Sequence, residues 1–300
     1  MKINCFPCLE KGDLVGVAAP SARFDETKLH QGIVCLEKMG FQVRVPDQIF
    51  EQKRYLAGDD LNRATVINAL AADPDIKGII CARGGFGAMR MLSYLDWHLI
   101  QAHPKLFIGF SDATALLTAL MQRANIGVVH GPNLVSLADA DLGTRTSFLD
   151  AVTGHGTALQ VPQGVCVAPG RTTGILVGGN LATLTHLVGT EFAPDFSQCV
   201  VFLEDVGEPA YKIDRMLSQM KMAGLFSCIR GVVTGTFERC DHPEYLPEIF
   251  TDIFGEYQVP VLMGVAAGHG GVNLSLPMGC RVDLDADAKT LKWPAQTGGT

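Results

Sequence analysis

Leu106-Phe107-Ile108-Gly109-Phe110-Ser111-Asp112-Ala113-Thr114 is an apolar run leading into small and polar residues, the pattern of a buried strand that turns straight into a helix. Ser111 falls at the bend. With Gly109 before it and Ala113 after it, the motif is G-x-S-x-A, in which one small residue replaces the usual second glycine of a nucleophile elbow. A serine so placed can hold its hydroxyl above the end of a sheet. Ser111 or Asp112 can equally cap the helix that follows, because both residue types accept hydrogen bonds from the free N–H groups at a helix start. Taken alone, the stretch is compatible with both roles.

Upstream, Leu14 to Ser21 reads as a first buried strand and loop, Thr27 to Met39 as a helix stopped by Gly40, and Phe41 to Val45 as an alternating strand. A second helix is expected from about Asp59 to Ala72, then a strand from Lys77 to Ala82 ending in Arg83-Gly84-Gly85-Phe86-Gly87, then a helix from Met89 to Leu95. After the Ser111 bend come a helix to about Arg123 and the run Ile126 to Asn133. This alternation predicts an α/β fold whose N-terminal domain, residues 1–150, is a mostly parallel sheet flanked by helices. Ligands bind such sheets outside the carboxyl ends of the strands, where both Gly85 and Ser111 are expected. The first turn lacks G-x-G-x-x-G, which argues against a dinucleotide site. Three uses are open for the cluster at 83–87. It can cradle a phosphate, although the lysine and Ser/Thr of a P-loop are missing; it can form an oxyanion hole; or it can simply be a tight turn.

Between about Asp139 and Arg171, Gly, Thr, Pro, Gln and Ala dominate and helical periodicity fades, so residues 151–171 are expected to link to a second, smaller, β-rich domain over 172–300. In it, Gly174 to Val177 reads as a strand leading to a helix that ends at Leu187. Val200 to Leu203 is an apolar strand ending in Glu204-Asp205, and burying a carboxylate is costly unless it is paired. Tyr211 to Lys221 reads as a helix and Gly231 to Gly235 as a strand. Val261 to Val265 leads into Ala266-Ala267-Gly268-His269-Gly270-Gly271, and Cys280 to Leu291 forms a closing hairpin.

Composition narrows the class. Hydrophobic residues make up 47% of the chain and charged residues 18%, as in ordinary globular enzymes, and the net charge of -7 is spread without a clustered basic face, which argues against nucleic acid as a partner. No apolar run reaches the length of a membrane span and residues 1–13 do not resemble a signal peptide, so a cytoplasmic protein is expected. Nine scattered cysteines suit a reducing compartment. Cys5 and Cys8 form a C-x-x-C, but no second pair completes a zinc site and the motif precedes the first strand instead of opening a helix.

A serine nucleophile needs a base, and eight histidines compete for that role. His269 is best placed, in a glycine-flanked loop after a buried strand. His130, beside Gly131-Pro132-Asn133, is its rival; His98, His103, His155 and His242 lie in polar or helical surface contexts, and His186 on a helix face. Glu204 suits the acid that holds the second imidazole nitrogen. The order Ser, acid, His is that of α/β-hydrolases, yet their H-G-G-G oxyanion motif is absent and the second domain supplies two of the three residues.

R-G-G-F-G at 83–87, G-F-S-D-A-T at 109–114, F-L-E-D-V-G-E-P-A-Y-K-I-D-R-M-L at 202–217 and G-H-G-G-V-N-L-S-L-P-M-G at 268–279 together resemble the serine LD-carboxypeptidase family, over nearly the whole chain. That family includes muramoyl-tetrapeptide carboxypeptidases and microcin C immunity peptidases. The resemblance implies Ser111 as nucleophile, Glu204 as acid and His269 as base, with the N–H groups of Gly85 and Asp112 as the oxyanion hole, and with no metal or cofactor. It also implies a homodimer and hydrolysis of the bond between an L-configured diamino acid and a terminal D-alanine in murein peptides. Phe86 stands where the family often has tyrosine and Lys212 where arginine is frequent. A carboxypeptidase must also hold a free carboxylate, for which Arg83 and Arg215 are the candidates. Two other readings are an immunity-type peptidase acting on a peptidyl-nucleotide or acyl-sulfamoyl-adenylate, and a two-lobed binding protein without catalysis.

Overall fold

The computed structural model describes residue 3 and residues 7–296, so the C-x-x-C expectation, which needs Cys5, lies outside the described residues. The N-terminal part builds a six-stranded sheet from β1 (Leu14–Ala18), β2 (Gln42–Arg44), β3 (Ile76–Cys81), β4 (Leu106–Gly109), β5 (Val128–His130) and a late strand, Leu276–Met278. The order is Leu276–Met278, β5, β4, β3, β1, β2, and all neighbours are parallel except the late strand, which runs antiparallel to β5 with Leu276 opposite His130. Ile79, Ile80, Phe107 and Ile108 are buried in the two central strands, which explains why these segments read as unbroken apolar runs. Aspartates start the flanking helices. Asp25, Asp59, Asp96 and Asp141 each accept from the backbone N–H three residues on, opening helices Glu26–Lys38, Asp60–Ala72, Trp97–Ala102 and Leu142–Val152.

The chain runs outward from β1 to β2 and then returns to β3, so the strand order reverses between β1 and β3. A crevice opens at such a reversal, outside the carboxyl ends of the strands. The loops that meet there are Pro20-Ser21-Ala22 and the glycine turn at 83–87, tied by a bond from Ala22 N–H to the Gly84 carbonyl at 3.2 Å.

The second sheet has eight strands: β6 (Thr157–Gln160), β7 (Val165–Ala168), β8 (Arg171–Asn180), β9 (Cys199–Val206), β10 (Gly231–Glu238), β11 (Val261–Met263), β13 (Arg281–Asp285) and β14 (Thr290–Trp293), the late strand of the first sheet being β12. Their order is β6-β14-β13-β8-β9-β10-β11-β7. From β8 to β11 the pairing is parallel, and the edges are antiparallel. Helices Leu181–Leu187, Ala210–Met222 and Leu246–Phe254 connect the parallel strands of this β-rich domain.

One feature departs from the sequence reading. The stretch 151–171, expected as a linker, supplies β6 and β7, one at each edge of the second sheet. Its polar, glycine-containing composition belongs to short edge strands with little side-chain burial, for which periodicity is weak. Glu204 and Asp205 lie at the carboxyl end of β9, where pairing continues as Asn180 opposite Glu204 and Phe237 opposite Asp205. Among the described residues no helix is long and apolar enough to cross a membrane.

Candidate active site

Ser111 leaves β4 with φ of +63°, a left-handed conformation that costs a non-glycine residue energy and is the mark of a sharp strand-to-helix bend. Asn133, in the loop after β5, holds the bend. Its Oδ1 accepts from the Phe110 N–H at 3.2 Å and its Nδ2 donates to the Phe110 carbonyl at 3.5 Å. The glycine turn crosses close by: a Cβ on Gly84 would lie 2.9 Å from Ser111 Oγ, a spacing no side chain tolerates, and Gly85 has φ of +107° against the Ala22 side chain.

Asp112 does not cap its own helix. Its buried carboxylate accepts from the Ala88 N–H at 2.8 Å, capping the neighbouring helix Ala88–Met91. Burial pushes this carboxyl up from the ordinary aspartate range, while the nearby Ser21 hydroxyl, the Ala88 bond and the Arg63 charge pull it back.

The second domain brings an acid and an imidazole to the same place. Glu204 is fully buried, and its Oε2 accepts from His269 Nδ1 at 2.7 Å. With Nδ1 donating to the carboxylate, Nε2 is the ring nitrogen left to exchange a proton. The His269 ring packs on Phe110, the residue before Ser111, with ring centres 4.8 Å apart. Gly268, at φ of +114°, is held by Asn273, whose Oδ1 accepts from its N–H at 2.9 Å, and a Cβ there would press within 3.0 Å of Glu204 Cγ. Beyond Gly268 the loop is pinned to helix Leu142–Val152 by bonds from Asn273 N–H to Thr144 Oγ1 and from Ser275 N–H to Ser147 Oγ, each 3.0 Å. It then enters the first sheet as β12. The two domains also meet behind the bend, where Asn180 N–H donates to Thr114 Oγ1 at 3.1 Å.

Asp205, the other half of the acidic pair, is turned to structural use. It accepts from Asn180 Nδ2 at 3.0 Å and from Ala182 N–H at 2.8 Å at the start of helix Leu181–Leu187, and burial raises its pKa to about 6. His130 is buried between Phe110 and Phe202, and neither ring nitrogen has a hydrogen-bond partner among the described residues. Burial lowers its pKa to about 4, so it is neutral at pH 7.

Arg83 lies exposed on the glycine turn, with Nη1 donating to the Arg23 carbonyl at 2.7 Å. Arg215 lies exposed on helix Ala210–Met222, its guanidinium 5.3 Å from the centre of the Tyr211 ring on the same helix. The sequence reading assigned no part to Asn133, Asn273 or Arg63. Each acts through hydrogen bonds to backbone or side chains far away in the chain, and for Asn133 the sole local signal is its position after Gly131-Pro132 at a strand end.

Known proteins share this architecture. Residues 15–131 match the model of the LD-carboxypeptidase N-terminal domain and residues 173–284 that of the LD-carboxypeptidase C-terminal domain. The chain is 36% identical over 293 residues to a putative carboxypeptidase of Synechocystis, covering 95% of each. It is 35% identical over 292 residues to the probable murein peptide carboxypeptidase of Bacillus subtilis, covering 94% of this chain and 92% of that one. Among solved structures, muramoyltetrapeptide carboxypeptidase from Oxalobacter formigenes superposes with a TM-score of 0.84 at 26% identity, over 96% of this chain and all of that one. The microcin C7 self-immunity protein in complex with aspartyl sulfamoyl adenosine superposes with a TM-score of 0.88 at 26% identity, over 97% and 98% of the two chains. With both domain models matched in order across most of the sequence, the chain belongs to the LD-carboxypeptidase family and is a serine-type carboxypeptidase.

Proposed function

We propose that the protein hydrolyses the bond between the L-centre of a diamino acid, such as meso-diaminopimelate, and the terminal D-alanine of murein tetrapeptides, in the recycling of peptidoglycan. The observation that carries this reading is the Glu204–His269 bond of 2.7 Å, delivered by the second domain against Phe110 at the Ser111 bend.

In this reading Ser111 Oγ attacks the scissile carbonyl and passes its proton to His269 Nε2, while Glu204 holds Nδ1 and stabilises the imidazolium. The N–H groups of Gly85 and Asp112 bind the oxyanion of the tetrahedral intermediate. His269 then gives the proton to the departing amine of D-alanine, leaving an ester on Ser111. Water, activated by the same imidazole, hydrolyses that ester. No metal or cofactor enters these steps. We assign recognition of the substrate carboxylate to Arg83, because it sits two residues from Gly85, whereas Arg215 is engaged with Tyr211 on a helix of the second domain. A cytoplasmic homodimer, with neither nucleic acid nor membrane as partner, completes the reading.

The test is incubation of the purified protein with a murein tetrapeptide in EDTA. D-Alanine release should persist, and Ser111→Ala should reduce it by several orders of magnitude. Chelator-sensitive release, or a near-normal rate in the alanine variant, overturns the serine reading. Faster cleavage of aspartyl sulfamoyl adenosine than of the tetrapeptide overturns the murein reading in favour of an immunity-type peptidase.

A further inference from the structure

One peptide group on the glycine turn is gripped from both ends by buried charged side chains. Arg63, from helix Asp60–Ala72, donates through Nη1 to the carbonyl of Gly87 at 2.9 Å. Asp112 accepts through Oδ2 from the N–H of Ala88 at 2.8 Å. Gly87 C=O and Ala88 N–H are the two poles of the same peptide bond, and in a trans peptide they point in opposite directions. The guanidinium and the carboxylate therefore hold it from opposite sides. Only 2% of Arg63 and 7% of Asp112 is exposed, so water competes little for either bond.

The two side chains link three loops. Arg63 also donates to the Pro20 carbonyl and pairs with Asp60, and Asp112 stands on the bend itself. The loop after β1, the turn after β3 and the bend after β4 are thus tied at the reversal of strand order. Burying two charges is a heavy cost for fastening the four-residue helix Ala88–Met91, since an uncharged cap satisfies the same N–H.

We propose that Arg63 and Asp112 are positioning residues that clamp the Gly87–Ala88 peptide and so fix the glycine turn relative to the Ser111 bend. The proposal rests on the reading of the Gly85 and Asp112 N–H groups as the oxyanion hole. One donor lies on the turn and the other on the bend, and no continuous element joins them. The clamp sets their separation: the Asp112 side chain holds the turn that carries Gly85, while the Asp112 backbone supplies the other donor. A misplacement of about 1 Å in a catalytic geometry costs on the order of 100-fold in rate, which is the size of effect at stake.

The test compares Asp112→Ala, Asp112→Asn, Arg63→Met and the double variant Arg63→Met/Asp112→Ala with the native protein. It uses the rate of covalent labelling of Ser111 by a fluorophosphonate, which needs the oxyanion hole but not the peptide, together with tetrapeptide kinetics normalised to the titre of labelled protein. The single variants to Ala and Met should lower the labelling rate and kcat by about 10- to 100-fold with KM within about twofold. Asp112→Asn should fall between them and the native protein, because its amide oxygen still accepts from Ala88. The double variant should lose less than the product of the single losses, since both side chains act on one peptide. Native labelling rates in the folded variants, or losses that multiply, overturn the clamp. Native protein that is labelled but leaves the tetrapeptide uncut counts against the substrate reading alone, and the labelling rates still judge the clamp.

Discussion

Nδ1 of His269 lies 2.7 Å from Oε2 of Glu204, a carboxylate with no exposed surface. A buried carboxylate is tolerated only with a partner, and a charge-assisted N–H bond to Oε2 both supplies one and fixes which imidazole nitrogen carries the proton. Glu204→Gln keeps the shape and removes the charge, and its amide favours the wrong tautomer. Turnover should fall by about 1,000- to 10,000-fold with KM little changed, measured as D-alanine release at pH 7. A loss under tenfold would remove Glu204 from the mechanism.

Ser111 pays for its position with a left-handed backbone at φ of +63°. That conformation costs a residue with a Cβ about 1 to 3 kcal/mol, against about 0.5 to 1 kcal/mol of extra chain entropy for glycine. Ser111→Gly should therefore be inert yet more stable than the native protein, by about 1 kcal/mol in chemical denaturation. Ser111→Ala should be equally inert without the gain, because its Cβ keeps the strain. A glycine variant less stable than the alanine variant would contradict the argument.

The first domain was legible because its central strands are buried on both faces and its helices open on aspartates, so apolar runs and caps appear in the sequence at the right spacing. Ser111, Glu204 and His269 were legible as residue types at or near strand ends, and a motif resemblance joined them. What escaped was non-local. Nothing near Leu276 says that β12 pairs with β5 in the other domain, and nothing near Arg63 says that its guanidinium reaches Pro20 and Gly87. Asp112 was read as a cap for the helix beside it, the nearest one in sequence, whereas folding presents it with the start of another helix. The edge strands β6 and β7 were missed for a different reason: one-sided, part-exposed strands carry little of the apolar alternation that marks a strand.

His130, the rival base in the sequence, makes the opposite prediction to His269. Its ring is buried, near Glu204 and His269, and its pKa is lowered to about 4, against about 6.5 in an unfolded chain. As the pH falls the unfolded chain takes up this proton first, so the His130 contribution to stability is intact above about pH 6.5 and is lost progressively toward pH 4. His130→Phe should retain activity at pH 7 and lose roughly 2 kcal/mol less stability than the native protein between pH 6.5 and pH 5. Asp205, with its pKa raised to about 6, acts in the opposite sense over the same range, but it is common to both proteins and drops out of the difference. Equal pH slopes in urea denaturation, or loss of activity in His130→Phe comparable to that in His269→Phe, would refute this assignment.

Gly84 isolates the fit between turn and Ser111 from the stability of the turn itself. A Cβ on it would stand 2.8 Å from Ser111 Cβ and 2.9 Å from Ser111 Oγ, and its own φ lies outside the left-handed region, so alanine meets no backbone penalty there. The methyl group must push the serine side chain to another rotamer or move the turn away from the bend, and either displacement separates Oγ from the geometry needed for attack. Gly84→Ala should thus lower the fluorophosphonate labelling rate and kcat by about 100-fold. Its thermal midpoint should move by no more than about 4 °C, as expected for a cost of 1 to 2 kcal/mol in a chain of this length. Gly255→Ala, where a Cβ meets nothing within 4 Å, is the matched control and should label at the native rate. Equal labelling rates in the two variants would show that the turn does not press on Ser111, and with it the close approach that makes glycine necessary at position 84 would fall.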